Sequence, residues 1–268
     1  MNTHAVSHLH WNVDWTQGAA VHGIGWVVVA LIIIWLLLGE PLLGKSAYRR
    51  FLVELRSGDV NARLRFYRKW TWQSWVALFV MLVLALGVLG WQPMQLGLRL
   101  PGIDMHLPTP LLGGLVAGAF SAVVFGVLLA RRRKHGSGQE SEPRATSNAE
   151  TVLMLPRRAD ERRAFAILAI TAGITEEIVW RGVGLAMLVA LFPHAPPIVY
   201  IAVLAGAFGW AHLYQGIAGI IVTAVLGGLL TMLYVTTGGL ALPIVVHAVI
   251  DLAAMARAPR LESIDASQ

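Results

Sequence analysis

Two adjacent carboxylates, Glu176 and Glu177, interrupt a stretch of sequence that is otherwise apolar. A charged side chain at mid-bilayer depth is costly, and such residues usually face a partner or serve a function. Arg181 follows Glu177 by four residues, so the two share a helix face and can form an ion pair. Glu176 is rotated by about 100° from Glu177. One carboxylate can therefore be held by Arg181 while the other is left to accept a proton.

Two histidines and a third carboxylate follow in apolar surroundings. His212 lies four residues after Phe208, and His247 lies four residues before Asp251. A carboxylate in a low-dielectric site can act as a general base toward water, and an imidazole can orient that water or stabilise an oxyanion. Water attack on a peptide carbonyl needs both functions. Two histidines and a carboxylate are also a common zinc set, which here would be Glu176, His212 and His247.

Each of these residues also has a simpler interpretation. The Glu177–Arg181 pair can be purely structural, and an intramembrane histidine often forms a hydrogen bond between helices. Asp251 can merely hold His247, and two histidines on separate spans could ligate haem. Glu176 and Asp251 could also move protons in a coupled carrier. We favour one shared site, because the residues fall at similar predicted depths, between the midplane and the cytoplasmic third of the membrane.

Composition indicates which elements must position these residues. The 268 residues are 56% hydrophobic and only 13% charged, whereas soluble domains carry about 25% charged residues. We predict an all-α, polytopic membrane helix bundle of about seven transmembrane helices, or about eight if the fourth span breaks. The predicted spans are 19–39, 71–91, 110–130, 164–191, 197–213, 217–236 and 239–256.

Basic residues alternate between the predicted loops. They are concentrated in residues 45–69 and 131–163, whereas the segment before the first span has none and the loop after the second span has only Arg99. This pattern predicts an external N-terminus and a cytoplasmic C-terminus. It also accounts for the net charge of +6, so we predict no nucleic-acid partner. The absence of cysteine excludes disulfides and thiolate catalysis.

The chain divides into four predicted regions. They are an N-terminal three-span region (1–134), a polar cytoplasmic linker (135–160), a catalytic helical core (161–256) and a polar tail (257–268). In the first region, apolar residues recur at helical spacing among arginines; they are Tyr48, Phe51, Leu52 and Leu55. This spacing indicates either an amphipathic helix on the membrane surface or a solvated basic loop.

The order and spacing of the polar residues resemble the CPBP family of intramembrane proteases. That family includes CAAX prenyl endopeptidases and Abi-like bacteriocin-processing or immunity proteins. Its motifs are Glu-Glu-x-x-x-Arg, Phe-x-x-x-His and His-x-x-x-Asn or Asp. The matching residues are Glu176, Glu177, Arg181, Phe208, His212, His247 and Asp251. The resemblance covers roughly residues 160–256.

The resemblance implies an intramembrane endopeptidase. It makes Glu176 the base that activates water with help from His212, while His247 and Asp251 stabilise the oxyanion. Glu177, Arg181 and Phe208 would support the site. We favour this glutamate mechanism without a cofactor over the zinc version. Asp251 stands where the prenyl-protein branch has Asn, and an ionised Asp cannot donate a hydrogen bond. It would have to be protonated, orient His247 or favour a metal.

The expected partners are membrane lipid and a peptide or protein substrate. The substrate would be lipidated or carry a C-terminal membrane segment; candidates are a prenylated peptide, a bacteriocin leader and a sorting segment. We expect an integral protein of a bacterial inner membrane. The alternative from another class is a non-catalytic immunity or scaffold protein that keeps the family fold.

Overall fold

A computed structural model describes residues 21–98 and 152–255, and these residues form helices and turns without strands. The helices are α1 (Gly25–Arg56), α2 (Ala62–Val88), α3 (159–191), α4 (Pro197–Ala211), α5 (Gly216–Thr237) and α6 (Ala241–Ala254). The predicted all-helical class is confirmed for the described part of the chain.

Several described helices can cross a membrane. Three are long and apolar enough by length and composition: α1, α2 and Leu213–Thr237, which contains α5. Helices α4 and α6 are apolar but shorter. Helix α3 is as long as α1, but Glu176, Glu177 and Arg181 add three charges to its apolar part. The count of seven spans stays a prediction. Its third span (110–130), most of the linker and the tail (257–268) lie outside the described residues.

The basic segment 45–69 differs from both forms predicted for it. Helix α1 continues to Arg56, a short turn follows, and α2 begins at Ala62. The apolar face of α1 packs against the chain itself, in a buried aromatic cluster that joins α1 to α2. Its buried members are Tyr48, Phe51, Leu52, Ala62, Phe66 and Tyr67. The helical spacing was informative, but the partner of this face is protein, not the membrane surface.

The turn between α1 and α2 lies beside the start of α3. Arg158 Nη1 donates a hydrogen bond to the carbonyl oxygen of Val60 at 2.8 Å. Arg63 Nε donates to the carbonyl oxygen of Leu153 at 2.9 Å, and the Tyr67 hydroxyl donates to the carbonyl of Met154. The two described parts of the chain are therefore joined at this end of the bundle.

Three long helices contain a wider, π-helical segment. These segments are Trp35–Gly39 in α1, Val83–Val88 in α2 and Ile178–Gly184 in α3. Such segments are frequent at functional sites. In α3 the π segment begins directly after Glu177, and the helix continues without the break that would have made an eighth span. In α1 the π segment ends directly before Glu40.

Close helix crossings bring α3 to α6 and α4 to α5. A Cβ atom on Gly173 of α3 would lie 3.0 Å from the backbone nitrogen of Ala248 on α6. A Cβ atom on Gly209 of α4 would lie 2.6 Å from the carbonyl oxygen of Ile220 on α5. Neither crossing has room for a side chain, so glycine sets the distance at which the polar residues of these helices meet.

Candidate active site

Glu177 connects two helices through a fully buried carboxylate. Its Oε1 atom accepts hydrogen bonds from Arg181 Nη1 at 2.8 Å and from His247 Nδ1 at 2.6 Å. Arg181 also donates from Nη2 to the carbonyl oxygen of Gly227 at 3.0 Å, and its guanidinium lies 4.5 Å from the centre of the Phe208 ring. The ion pair predicted from spacing thus becomes a junction of α3, α4, α5 and α6.

His247 is oriented by this junction. Glu177 is paired with Arg181 as a carboxylate and can only accept, so the Nδ1 atom of His247 carries a proton. The other ring nitrogen, Nε2, faces Glu176 Oε2 at 3.9 Å and Asp251 Oδ2 at 3.7 Å. Both distances are too long for a direct hydrogen bond. The contact from Glu177 joins residues 70 positions apart, and no local spacing signals it.

His212 ends α4 and caps it with its own side chain. The backbone nitrogen of His212 donates to the carbonyl of Gly209 at 3.0 Å, which leaves the carbonyl of Phe208 without its usual helical donor. His212 Nδ1 lies 2.8 Å from that carbonyl oxygen. A carbonyl only accepts, so Nδ1 is the protonated nitrogen and Nε2 presents a lone pair.

The ring of Phe208 lies between the two imidazoles. Its centre is 4.7 Å from that of His212 and 6.1 Å from that of His247. It also makes an edge contact with Trp180 at 5.8 Å. A Cβ atom on Gly227 would lie only 2.9 Å from Phe208 Cδ1. The spacing Phe-x-x-x-His therefore places an aromatic spacer one helical turn before the imidazole that it supports.

One cavity of about 260 Å³ is lined by all four predicted catalytic residues, Glu176, His212, His247 and Asp251. Glu176 Oε2 is buried without a hydrogen-bond partner among the described residues. The side chain of Asp251 is 37% exposed and that of His247 only 9%, so Asp251 lies at the open side. The structure brings these residues together, while their catalytic roles stay predictions.

The zinc set does not form in this arrangement. In residues 21–98 and 152–255, no group of three or more His, Asp or Glu side chains is placed to hold a metal ion. His247 uses Nδ1 for Glu177, and its Nε2 is 3.9 Å from the nearest oxygen of Glu176. As placed, these three side chains do not fit one metal ion.

Glu40 lines the same cavity and was not among the predicted site residues. It belongs to α1, one residue beyond the end of the predicted first span (19–39). The sequence feature that singled out Glu176 could also have identified Glu40, because both are carboxylates that directly follow a long apolar run. A second cavity of about 460 Å³ between α1, α2 and α3 is also lined by Glu40 and Glu176.

Residues 160–253 match the Rce1-like family, described as type II CAAX prenyl endopeptidase Rce1-like. This matched segment is called the Rce1-like domain below. It comprises nearly all of α3 and α6 with α4 and α5 between them, and it contains every motif residue. The match confirms the resemblance to CPBP proteases, and with the apolar helices it indicates an integral membrane protease with a peptide or protein substrate. No curated protein and no solved structure matches the chain.

The Rce1-like domain does not contain all of the cavity wall. Residues 1–159 lie outside the match, yet α1 and α2 supply Glu40, Gly44, Phe66, Trp70 and Ser74 to the lining. The site is therefore completed by a part of the chain for which the comparison indicates nothing.

Proposed function

We propose that the protein is an intramembrane endopeptidase in which Glu176 activates the attacking water. The observation that carries this proposal is the Glu176 carboxylate, whose Oε2 atom has no hydrogen-bond partner among the described residues, on a cavity shared with two imidazoles. The Rce1-like match supports the same class of reaction. A carboxylate without a hydrogen-bond partner in a low-dielectric site is a strong proton acceptor, which is what a general base requires.

Two groups on this cavity can accept hydrogen bonds from the attacking water. Glu176 offers an oxygen, and His212 offers the lone pair of Nε2 because its Nδ1 proton is used by the Phe208 carbonyl. A water that donates to both keeps its own lone pair for the substrate carbonyl carbon. Transfer of one water proton to Glu176 accompanies formation of the new C–O bond. His212 acts as a positioning residue for the water.

Charge then develops on the carbonyl oxygen of the substrate, and His247 is the group that meets it. The carboxylate of Glu177 accepts from Nδ1 at 2.6 Å and stabilises a protonated ring, which would donate from Nε2 to the oxyanion. Asp251 contributes a second donor when it is protonated. In this proposal a protonated Asp251 takes the place of the Asn of the prenyl-protein branch.

The proposed substrate is a peptide held in the membrane by a lipid or by a C-terminal membrane segment. The larger cavity is lined mainly by apolar side chains, meets the smaller one at Glu40 and Glu176, and also includes Arg50 and Lys69. An apolar anchor in the larger cavity would place the attached peptide bond at Glu176. A prenylated peptide is the first candidate, by the description of the matching family.

The test is cleavage of an internally quenched, farnesylated Cys-aliphatic-aliphatic-X peptide by the purified full chain in liposomes. We expect cleavage by the wild type and none above background by Glu176→Gln. Glu54→Gln, the same substitution at an exposed ion pair of α1, is the matched control and should retain full activity. Unchanged cleavage in Glu176→Gln would refute the proposal. Retained cellular function with Glu176→Gln and His212→Ala would favour the non-catalytic alternative.

We also infer an orientation with the N-terminus outside and the C-terminus in the cytoplasm of a bacterial inner membrane. The support is the basic sequence around the α1–α2 turn and before α3. The hydrogen bond between Arg158 and Val60 agrees with this, because it joins these two basic regions at one end of the bundle.

A further inference from the structure

Glu40 is held against the end of α4 by contacts on either side of it. Three residues before it, the carbonyl oxygen of Leu37 accepts a hydrogen bond from Trp210 Nε1 at 2.8 Å. One turn after it, a Cβ atom on Gly44 would lie 3.7 Å from the Tyr214 ring and 4.0 Å from the Ala211 carbonyl oxygen. Glu40 and Gly44 share a helix face. That face is turned toward the residues that flank His212.

Glu40 and Glu176 also lie at the same depth in the bundle. Glu40 is 16 residues before the end of α1 at Arg56, and Glu176 is 17 residues after the start of α3 at Ala159. At 1.5 Å per residue these separations are about 24 and 26 Å. The two helix ends are at one level, because Arg158 bonds to Val60 in the turn after α1. The shared lining of two cavities follows from this geometry.

The carboxyl group of Glu40 has no hydrogen bond or ion pair with any described residue. Glu40 and Glu176 line both cavities, whereas the third carboxyl group, Asp251, lines only the smaller one. Two such neighbouring carboxyl groups are more stable with a proton on one of them than as two anions, because like charges repel strongly at low dielectric. A pair of carboxyl groups in which one is a base and the other an acid is the usual division of labour in hydrolysis. Glu176 is the base here, which leaves Glu40 with the proton.

Peptide cleavage needs an acid at the leaving nitrogen, and the proposed mechanism already engages the other groups on the cavity. Asp251, when protonated, donates to the oxyanion. His212 commits its Nδ1 proton to Phe208 and faces the cavity with a lone pair. His247 commits Nδ1 to Glu177 and has only Nε2 for the oxyanion. We propose that Glu40 is a further catalytic residue, the acid that protonates the leaving nitrogen; this inference rests on the proposed endopeptidase function.

The step balances with these two carboxyl groups alone. The water oxygen forms a bond to the carbonyl carbon, and one water proton passes to Glu176. The C–N bond then breaks as the proton of Glu40 passes to nitrogen, which gives a carboxylic acid and an amine. Water in the cavity returns the proton of Glu176 to Glu40. No oxidant, reductant or metal is needed.

Two substrates that differ in their leaving group test this role. The first is the farnesylated reporter peptide, and the second has its scissile amide replaced by a thioester. A thiolate with a pKa of about 8.5 leaves without an acid, whereas an amide nitrogen does not. We expect Glu40→Gln to lower kcat for the amide by roughly 100-fold or more, with little change in KM and little loss for the thioester. Glu40→Asp should recover part of the amide rate, and Glu54→Gln should leave both rates unchanged.

The outcomes are distinguishable. Equal losses on amide and thioester would mean that Glu40 only maintains the fold and would overturn the inference, as would an unchanged amide rate in Glu40→Gln. If the wild type cleaves neither substrate, or if Glu176→Gln cleaves both normally, it is the endopeptidase proposal that fails. Should Glu40→Gln not fold, the ratio of amide to thioester rates in Glu40→Asp serves the same purpose, and an unchanged ratio would refute the acid role.

Discussion

Removal of the Arg181 charge tests the buried junction most directly. The variant Arg181→Met keeps most of the apolar volume of the side chain but leaves Glu177 with His247 as its one hydrogen-bond partner. The Gly227 carbonyl loses Arg181 as well, but it still accepts from the Thr231 hydroxyl at 2.8 Å. The main penalty therefore falls on the Glu177 carboxylate, which is 0% exposed.

The loss of stability expected for Arg181→Met is limited by the hydrogen bond that Glu177 keeps with His247. Removing one partner of a buried ion pair costs about 3–5 kcal/mol in free energy of unfolding. We expect about 3 kcal/mol for Arg181→Met, because His247 still donates to Glu177. The double variant Glu177→Gln/Arg181→Met removes both charges of this ion pair, and the Gln oxygen can still accept from His247. We expect it to be more stable than the single variant by about 2 kcal/mol.

The assay is reversible unfolding in mixed micelles by titration with sodium dodecyl sulfate, followed by tryptophan fluorescence. Arg65→Met, which removes an exposed ion pair with Glu54 and Asp59, is the control and should lower stability far less than Arg181→Met does. Two results would contradict the role of the buried junction. One is an Arg181→Met variant that loses no more stability than Arg65→Met, and the other is a double variant that is no more stable than Arg181→Met. Both variants should cleave the reporter slowly. In Arg181→Met the Glu177 carboxylate that orients His247 is held less firmly, and in the double variant His247 loses its charged partner.

Helix packing, zinc dependence and membrane topology can each be tested separately. Gly227→Ala should lower stability by about 1–3 kcal/mol and slow cleavage, because the new Cβ would lie 2.9 Å from Phe208 Cδ1; Gly228→Ala, whose Cβ would lie at 3.4 Å from its nearest neighbour, should do neither. Cleavage should survive exhaustive chelation with no zinc in the purified protein, and activity restored only by added zinc would favour the metal version. The chain has no cysteine, so single substitutions report topology. Ser57→Cys in the α1–α2 turn should react with a membrane-impermeant maleimide only from the cytoplasmic side, and His194→Cys in the α3–α4 loop only from outside; the reverse pattern would contradict the orientation.

Local spacing was sufficient for features that depend on one helix. The ion pair of Glu177 with Arg181 follows from the i,i+4 relation, which holds in any α-helix. The aromatic face of α1 with Tyr48 and Phe51 was equally visible, since periodicity shows that a face is apolar. Periodicity does not show what covers that face. The sequence suggested the membrane surface, whereas in the structure α2 and the start of α3 cover it.

Contacts between distant segments were outside the reach of spacing. The hydrogen bond from His247 to Glu177 and that from Trp210 to Leu37 join residues 70 and 173 positions apart. Each depends on how closely two helices cross and how they are rotated, and glycines such as Gly173 decide that distance only when the facing helix is known. Spacing offered Asp251, one turn away on the same helix, as a residue that could hold His247, yet Glu177 on another helix makes the shorter contact.

The sequence by itself indicated the class of protein and the family that residues 160–253 resemble, because composition and ordered motifs are properties of the linear chain. It also singled out Glu176, since a carboxylate in an apolar run is anomalous whatever its surroundings. Only the tertiary structure decided that Glu176 shares a cavity with His212, His247 and Glu40. Three of these four residues come from three different helices of the Rce1-like domain, and the fourth comes from α1 outside it. Their proximity is a consequence of packing, which no single segment of the sequence contains.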